Sequence, residues 1–495
     1  MIPSLIKHIG RFGNSIAIVE SSTIYSFEAL DSQANNIANE LDRQFGKLKS
    51  ERIIILVSAG FNYCAALFAI WKSGATAVPI FIDLPVNAIE YYVEDSGASI
   101  IITDDYRAVD LKILNEKVRI INLSQLDFDR PLSYISETDY EDDALIIYTS
   151  GTTSKPKGVL TTHRILEAQV TTLVESWEWT AEDSILNVLP LHHVHGLVNA
   201  LLCPLFVGAR IFIFPKFDVG KVWELLSSGQ INVFMAVPTI YSKLISAFES
   251  LSEDKKDKIK RQLKSFRLMV SGSAALPVSV LEKWKTISGH FLLERYGMTE
   301  IGMAISNPYK GVRKAGFVGL PLPGVQVRLF DNDSGKIAEN EAAGEIQIKS
   351  AAVFKSYWKK QSATAETFTE DGWFKTGDLA VCIDGYYKIL GRLSSDIIKS
   401  GGYKLSALEI EECLREHPSL ADVAVLAIPD EIWGETVVAV LVLKEKESIV
   451  DAKSINEWLS DKLPAYKIPK KYHFVDELPR NAMGKIVKNS LKELF

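Results

Sequence analysis

The stretch Ile146-Ile147-Tyr148-Thr149-Ser150-Gly151-Thr152-Thr153-Ser154-Lys155-Pro156-Lys157-Gly158 limits what this chain can be more than any other. Ala144 to Tyr148 is a short apolar run, the pattern of a buried strand. It leads straight into a loop crowded with hydroxyls, glycine and two lysines. Glycine lets a backbone come close to a ligand. Ser and Thr offer hydroxyl and N–H donors, and Lys155 and Lys157 supply positive charge. The pattern predicts a phosphate-binding loop at the end of a sheet strand. It is not a P-loop, because the Gly-x4-Gly-Lys-Ser/Thr spacing is absent. The alternative is a plain Ser/Thr/Gly surface turn.

The strand before this loop has company. Ile53 to Val57, Ala77 to Ile80, Ile100 to Ile102 and Ala144 to Ile147 are near-continuous apolar runs, and Phe61 to Ser73 reads as a helix between two of them. Such strands alternating with helices predict α/β architecture, with layered, mainly parallel sheets covered on both faces. From Val318 to Ile348 the texture shifts to Gly, Pro and short alternating runs, which predicts a small antiparallel sheet or barrel. A boundary falls at Gly391-Arg392-Leu393-Ser394-Ser395-Asp396. Beyond it a helix over 406–417, strands at 423–428 and 437–443 and a helix over 454–463 form an α+β unit of normal domain size. Ser406 is its expected helix cap, with Glu409 at the third helical position. The expected domains are therefore 1–391, a hinge at 392–395, and a small mobile domain at 396–495.

Composition excludes several classes. At 495 residues, 47% hydrophobic and 24% charged with net charge −7, the chain is ordinary globular protein of more than one domain. There is no polybasic run to recommend nucleic acid or a membrane surface, and no apolar stretch of spanning length. Cys64, Cys203, Cys382 and Cys413 form no CxxC pair, which suits free thiols in a reducing cytoplasm. The opening MIPSLIKHIGRFGNS has no signal-peptide core, and Lys-Glu-Leu-Phe at the end is no sorting address.

YTSGTTSKPKGV resembles the phosphate loop of the adenylate-forming enzymes, the superfamily of acyl-CoA synthetases, luciferases and peptide-synthetase adenylation domains. Four further stretches resemble that family in its order: Arg295 to Glu300, Thr376-Gly377-Asp378, Gly391-Arg392, and Pro479 to Lys485. The resemblance implies two half-reactions: a carboxylate attacks the α-phosphate of ATP, and a thiol, usually coenzyme A, then displaces AMP. Both partners in the first step are anions, so the site must neutralise charge. The resemblance implies that Lys485 does this catalytically, with Thr299 contacting phosphate and Glu300 ligating Mg²⁺. One carboxylate suits Mg²⁺, which keeps several waters. Read without the family, Lys485 is a surface lysine. ATP would be held by Thr149, Ser150, Gly151, Thr152, Thr153 and Lys157, by the second loop at Ser273, Ala274 and Ala275, by Tyr296 and Gly297 at the adenine, and by Asp378 and Arg392 at the ribose. Asp378 could otherwise close a turn. The small domain would rotate about Ser394, where most members carry Asp or Lys. Ser400, Gly401, Gly402 and Lys404 would line the coenzyme A route.

The position before Tyr-Gly-Met-Thr-Glu narrows the acid. Many acyl-CoA synthetases have glycine there; this chain has Arg295. A fatty or aromatic acid would leave a buried guanidinium unpaired, whereas a second carboxylate would satisfy it in two places. At about 4 Å and an effective dielectric near 20 that attraction is about 4 kcal/mol before desolvation. The context, 189–196, 236–243 and 271–277, resembles malonyl-CoA synthetases, which implies a malonate site of His193, Lys243, Ser273 and Arg295. One methyl group changes binding by only about 1–3 kcal/mol, so methylmalonate stays open. Arg295 paired with Glu294 or Glu300 is the structural alternative. His192, His193 and His195 could bind zinc, but that loop holds no Cys, Asp or Glu, and His195 reads as a satisfied core residue. The expected activity is ATP-dependent ligation of malonate to coenzyme A, with small-molecule partners only. Its rivals are a short monocarboxylic acyl-CoA synthetase and an enzyme loading a carrier protein.

Overall fold

Strand Arg52–Leu56 shows how the large N-terminal domain is built. Ile53 and Ile55 enter one core, and Ile54 and Leu56 enter another on the opposite side. Alternation is the strand period, and burial of both faces explains the unbroken apolar run. The computed structural model describes residues 2–114, 117–126, 134, 136–149, 155–339, 341–444, 450–480 and 485–495. Among them, the sheet around Arg52–Leu56 has seven strands, with parallel neighbours Thr76–Pro79 and Ile100–Thr103. A second sheet of nine has a parallel centre running from Leu293–Met298 through Leu268–Ser271 and Val233–Ala236 to Ile16–Glu20. One core contains side chains of both sheets. Helix Phe61–Lys72 belongs to it and is buried at every residue but Asn62, as expected of a helix apolar on all sides.

Both sheets become antiparallel beside the candidate site. Asp143–Thr149 pairs with Lys157–Thr162, and Leu293–Met298 pairs with Gly302–Ser306. Successive strands joined by so short a link can only run antiparallel. The expected small antiparallel sheet is present and extends further than its Gly/Pro-rich stretch: Gln326–Asp331 and Gly344–Lys349 continue into Phe374–Ile383 and Tyr386–Arg392.

The C-terminal part has its own sheet and its own core around Ile410, Val425 and Ile455. Ser406 caps helix Ala407–Arg415 by accepting from the Glu409 N–H at 3.2 Å. The Glu409 carboxylate does not complete a capping box; it bonds Lys467 at 2.7 Å. Contacts that seat this smaller domain on the larger one include Val278 N–H donating to Glu412 at 2.8 Å, the Lys404–Asp333 pair, and Ser406 Oγ donating to the Leu390 carbonyl. No helix among the described residues is long and apolar enough to cross a membrane.

Candidate active site

Three hairpin ends meet at the site. Thr149 and Lys157 face each other where the first hairpin opens. The expected contacts Ser150, Gly151, Thr152 and Thr153 lie outside the described residues. The Lys157 ammonium sits 5.2 Å over the Tyr357 ring, a cation–π distance. Tyr357 Oη donates to Glu300 Oε1 at 2.9 Å. Thr299 and Glu300 form the turn of the second hairpin, and Glu300 is buried. Burial raises its pKa, opposed by the Tyr357 hydrogen bond. A bare carboxylate is costly there, and a cation would offset that cost. Among the described residues there is no cluster of three His, Cys, Asp or Glu able to hold a metal unaided.

Tyr296 Oη donates to Asp378 Oδ2 at 2.6 Å, and Arg392 grips Asp378 through Nε at 2.8 Å and Nη2 at 3.1 Å. The structure thus brings together Tyr296, Asp378 and Arg392 from two sheets. Gly297 has a structural reason for its identity: a Cβ there would lie 2.2 Å from the Gly302 carbonyl of the paired strand.

The loop after strand Leu268–Ser271 carries Ser273 at φ +71°, an uncommon conformation for a residue with a Cβ. Ala274 is half-buried and Ala275 exposed. Ser273 Oγ lies 3.1 Å from His195 Nδ1. His195 opens a π-helix, His195–Leu202, a form that gathers at functional sites. Its Nε2 is buried with no hydrogen-bond partner among the described residues. His195 is therefore only half-satisfied, unlike the expected core residue.

Arg295 lies against the same group. It is buried, 4% exposed. Its Nε and Nη2 have no hydrogen-bond partner among the described residues, and neither Glu294 nor Glu300 pairs with it there. Burial alone pushes its pKa down to about 9, and its charge lowers the pKa of His195 after burial has done most of that work. The guanidinium lies over Gly272, where a Cβ would sit 2.4 Å from Arg295 Cζ. That glycine leaves room for the arginine, a signal readable only once both positions are known to touch. On helix Pro238–Glu249, Tyr241 and Leu244 face inward; Lys243 is exposed, with its ammonium 5.9 Å over Phe217.

Lys485 reaches this group from the C-terminal domain. Burial and the Arg392 charge lower its pKa, Asp378 opposes them, and Arg295 and Asp396 contribute further. His193, its ring tilted against His192 with centroids 4.1 Å apart, is pushed down to about 4 by burial and by the Lys485 charge. Lys485 nevertheless keeps contact with solvent. Ser400, Gly401, Gly402 and Lys404 belong to the hairpin of Ile397–Ser400 and Tyr403–Ser406. Gly401 (φ +57°) and Gly402 (φ +83°) are its two-residue turn, the geometry that favours glycine in tight hairpins. Ser394 lies in the turn after strand Tyr386–Arg392. Tyr357, Gly272 and the His195–Ser273 pair are the site residues that sequence reasoning missed or misread.

Comparison with known proteins sets this geometry in context. Residues 5–358 match the profile of the AMP-binding enzymes, and 409–485 match the C-terminal domain of AMP-binding enzymes. The chain is 44% identical to the human mitochondrial malonate–CoA ligase, over 98% of this chain and 90% of that protein. It is 40% identical to the malonate–CoA ligase of Arabidopsis thaliana, over 91% and 79%. Among solved structures, ATP-bound MatB from Rhodopseudomonas palustris superposes with a TM-score of 0.91 at 31% identity, over 100% of this chain and 99% of that one.

Proposed function

The chain belongs to the AMP-binding enzyme family, and from that premise we propose that it joins malonate to coenzyme A through a malonyl-adenylate. The observation that carries this reading is Arg295: a buried guanidinium without an ion pair among the described residues, beside the half-satisfied His195. A buried charge of this kind calls for an anion, and a dicarboxylate supplies one at the end away from the reaction. The malonate–CoA ligases of human and Arabidopsis, as relatives, support the same acid.

In the first step one malonate carboxylate oxygen attacks the α-phosphorus of ATP, and the bond to pyrophosphate breaks. Lys485 carries positive charge to the meeting point of two anions, where it is worth most. Arg295 holds the distal carboxylate, and His193, Lys243 and Ser273 are assigned to the same acid. Thr149, Lys157 and Thr299 are assigned to phosphates, the second loop and Tyr296 to the base, and Asp378 with Arg392 to the ribose. Glu300 would hold Mg²⁺; a single buried carboxylate fits a metal that arrives with its phosphate oxygens and waters, and the metal would neutralise phosphate charge. In the second step the thiol of coenzyme A attacks the acyl carbon and AMP leaves. We assign 1–391 and 396–495 as the two domains. Rotation of the second about Ser394 would withdraw Lys485 and bring Ser400, Gly401, Gly402 and Lys404 to the thiol route. We place the activity in the cytoplasm on the strength of four free cysteines, although the human relative is named mitochondrial; imaging of the tagged protein decides between them.

The test is coenzyme A-dependent AMP release with malonate, methylmalonate, succinate, acetate and butyrate. A strong preference for malonate is the expected result. Preference for a monocarboxylic acid would overturn the assignment of the acid.

A further inference from the structure

We propose that Lys488 is a positioning residue for Lys485, a role that rests on the reading of Lys485 as catalytic. Lys488 starts the short helix Lys488–Leu491, three residues beyond Lys485. Its ammonium lies 2.8 Å from Asp396 Oδ1 and 2.8 Å from Glu411 Oε1. The three side chains are 12%, 18% and 2% exposed, so the cluster is shielded from water. Each carboxylate is itself tied down. Asp396 Oδ2 accepts from the Arg392 N–H at 3.1 Å. Glu411 accepts from the Val425 N–H at 2.9 Å and from Arg415 at 3.0 Å.

One ammonium thus fastens the C-terminal segment to two elements at once. The first is the residue just past the proposed pivot, next to the strand whose Arg392 holds Asp378. The second is helix Ala407–Arg415. The backbone around Lys485 has two further ties: Val487 N–H donates to the Pro479 carbonyl at 2.8 Å, and Arg480 bridges to Ile486. Lys488 adds a side-chain fastening three residues along the chain from Lys485. A group that must meet a transition state needs such a support, because a displacement of about 1 Å can cost about 100-fold in rate. Lys488 itself acts through Lys485 and touches no reacting atom.

Substitution of Lys488 strands two buried carboxylates and threatens the fold, so three variants are needed: Lys488→Met, Lys488→Arg and the nearly isosteric Asp396→Asn. Two half-reactions are read separately, ATP–pyrophosphate exchange driven by the acid and conversion of supplied acyl-adenylate to thioester by coenzyme A. The expected result is a fall of about tenfold or more in the exchange kcat for Lys488→Met and Asp396→Asn. KM for ATP should stay within about twofold, the second half-reaction should stay within about twofold of wild type, and Lys488→Arg should restore most of the exchange. Equal loss in both half-reactions, or no loss in exchange, overturns the proposal. If Lys488→Met does not fold, Asp396→Asn decides. The assay uses whichever acid supports exchange in the wild type, so failure of malonate does not count against Lys488. Full exchange by Lys485→Ala would overturn both readings together.

Discussion

Arg295 and Gly272 work as a pair at the scale of single residues. Gly272→Ala would place a Cβ 2.4 Å from Arg295 Cζ and push the guanidinium off its seat. Malonate kcat/KM should fall about tenfold or more, since loss of about 1.4 kcal/mol is tenfold; unchanged kinetics would mean that the guanidinium is not seated there. Glu294 next door gives a pH prediction. Burial raises its carboxyl to about 8, opposed by the Leu276 N–H, against about 4.3 in an unfolded chain. Below pH 4 both states hold the proton and there is no penalty. Between about 4.3 and 8 the unfolded state gives the proton up while the folded state keeps it, so this group lowers stability as pH rises. Glu294→Gln should therefore raise Tm at pH 8 and have little effect at pH 4. A gain of equal size at both would contradict the assignment. Arg295 itself was legible in the sequence because it breaks the family's glycine. The His195–Ser273 contact was not, because it joins residues 78 positions apart through a strained Ser273 backbone.

At the scale of elements, the hairpin turn at Gly401 and Gly402 separates two glycine requirements. Both have positive φ, but an added Cβ at Gly402 meets open space, whereas at Gly401 it would lie 2.7 Å from the Trp433 ring. Gly402→Ala should cost about 1 kcal/mol, and Gly401→Ala more, with Trp433 displaced; Tm values of the two variants test the order. The strands and helices themselves were readable, since the runs at 53–57, 100–102 and 144–147 carry the apolar signature of two-sided burial. Lys243 shows a limit of the same scale. A motif places a residue along the chain, but the helical period decides which side it faces, and Tyr241 and Leu244 take the inward positions. The glycines at 401–402 read as room for a ligand, yet the turn alone accounts for their φ angles.

The whole molecule depends on how the small domain sits on the large one. The Lys404–Asp333 pair is partly exposed, at 34% and 72%, and such pairs contribute about 1 kcal/mol or less. Asp333→Ala should leave ATP–pyrophosphate exchange within about threefold; collapse of exchange would show that this single contact holds the pose. The two-part plan was legible from the stretch Gly391 to Asp396 and the α+β pattern that follows it. The placing of Lys485 beside His193, Arg392 and Asp378 was legible only through the resemblance of Pro479 to Lys485, because nothing local in a polar C-terminal segment says which surface it reaches. The claim that a buried arginine without an ion pair among the described residues selects a dicarboxylic acid is tested most directly by Arg295→Gly, comparing kcat/KM for malonate and for butyrate in the wild type and the variant. The account predicts that the malonate preference falls by about two orders of magnitude, from loss of about 3 kcal/mol of charge pairing. A variant that keeps the wild-type preference would contradict it.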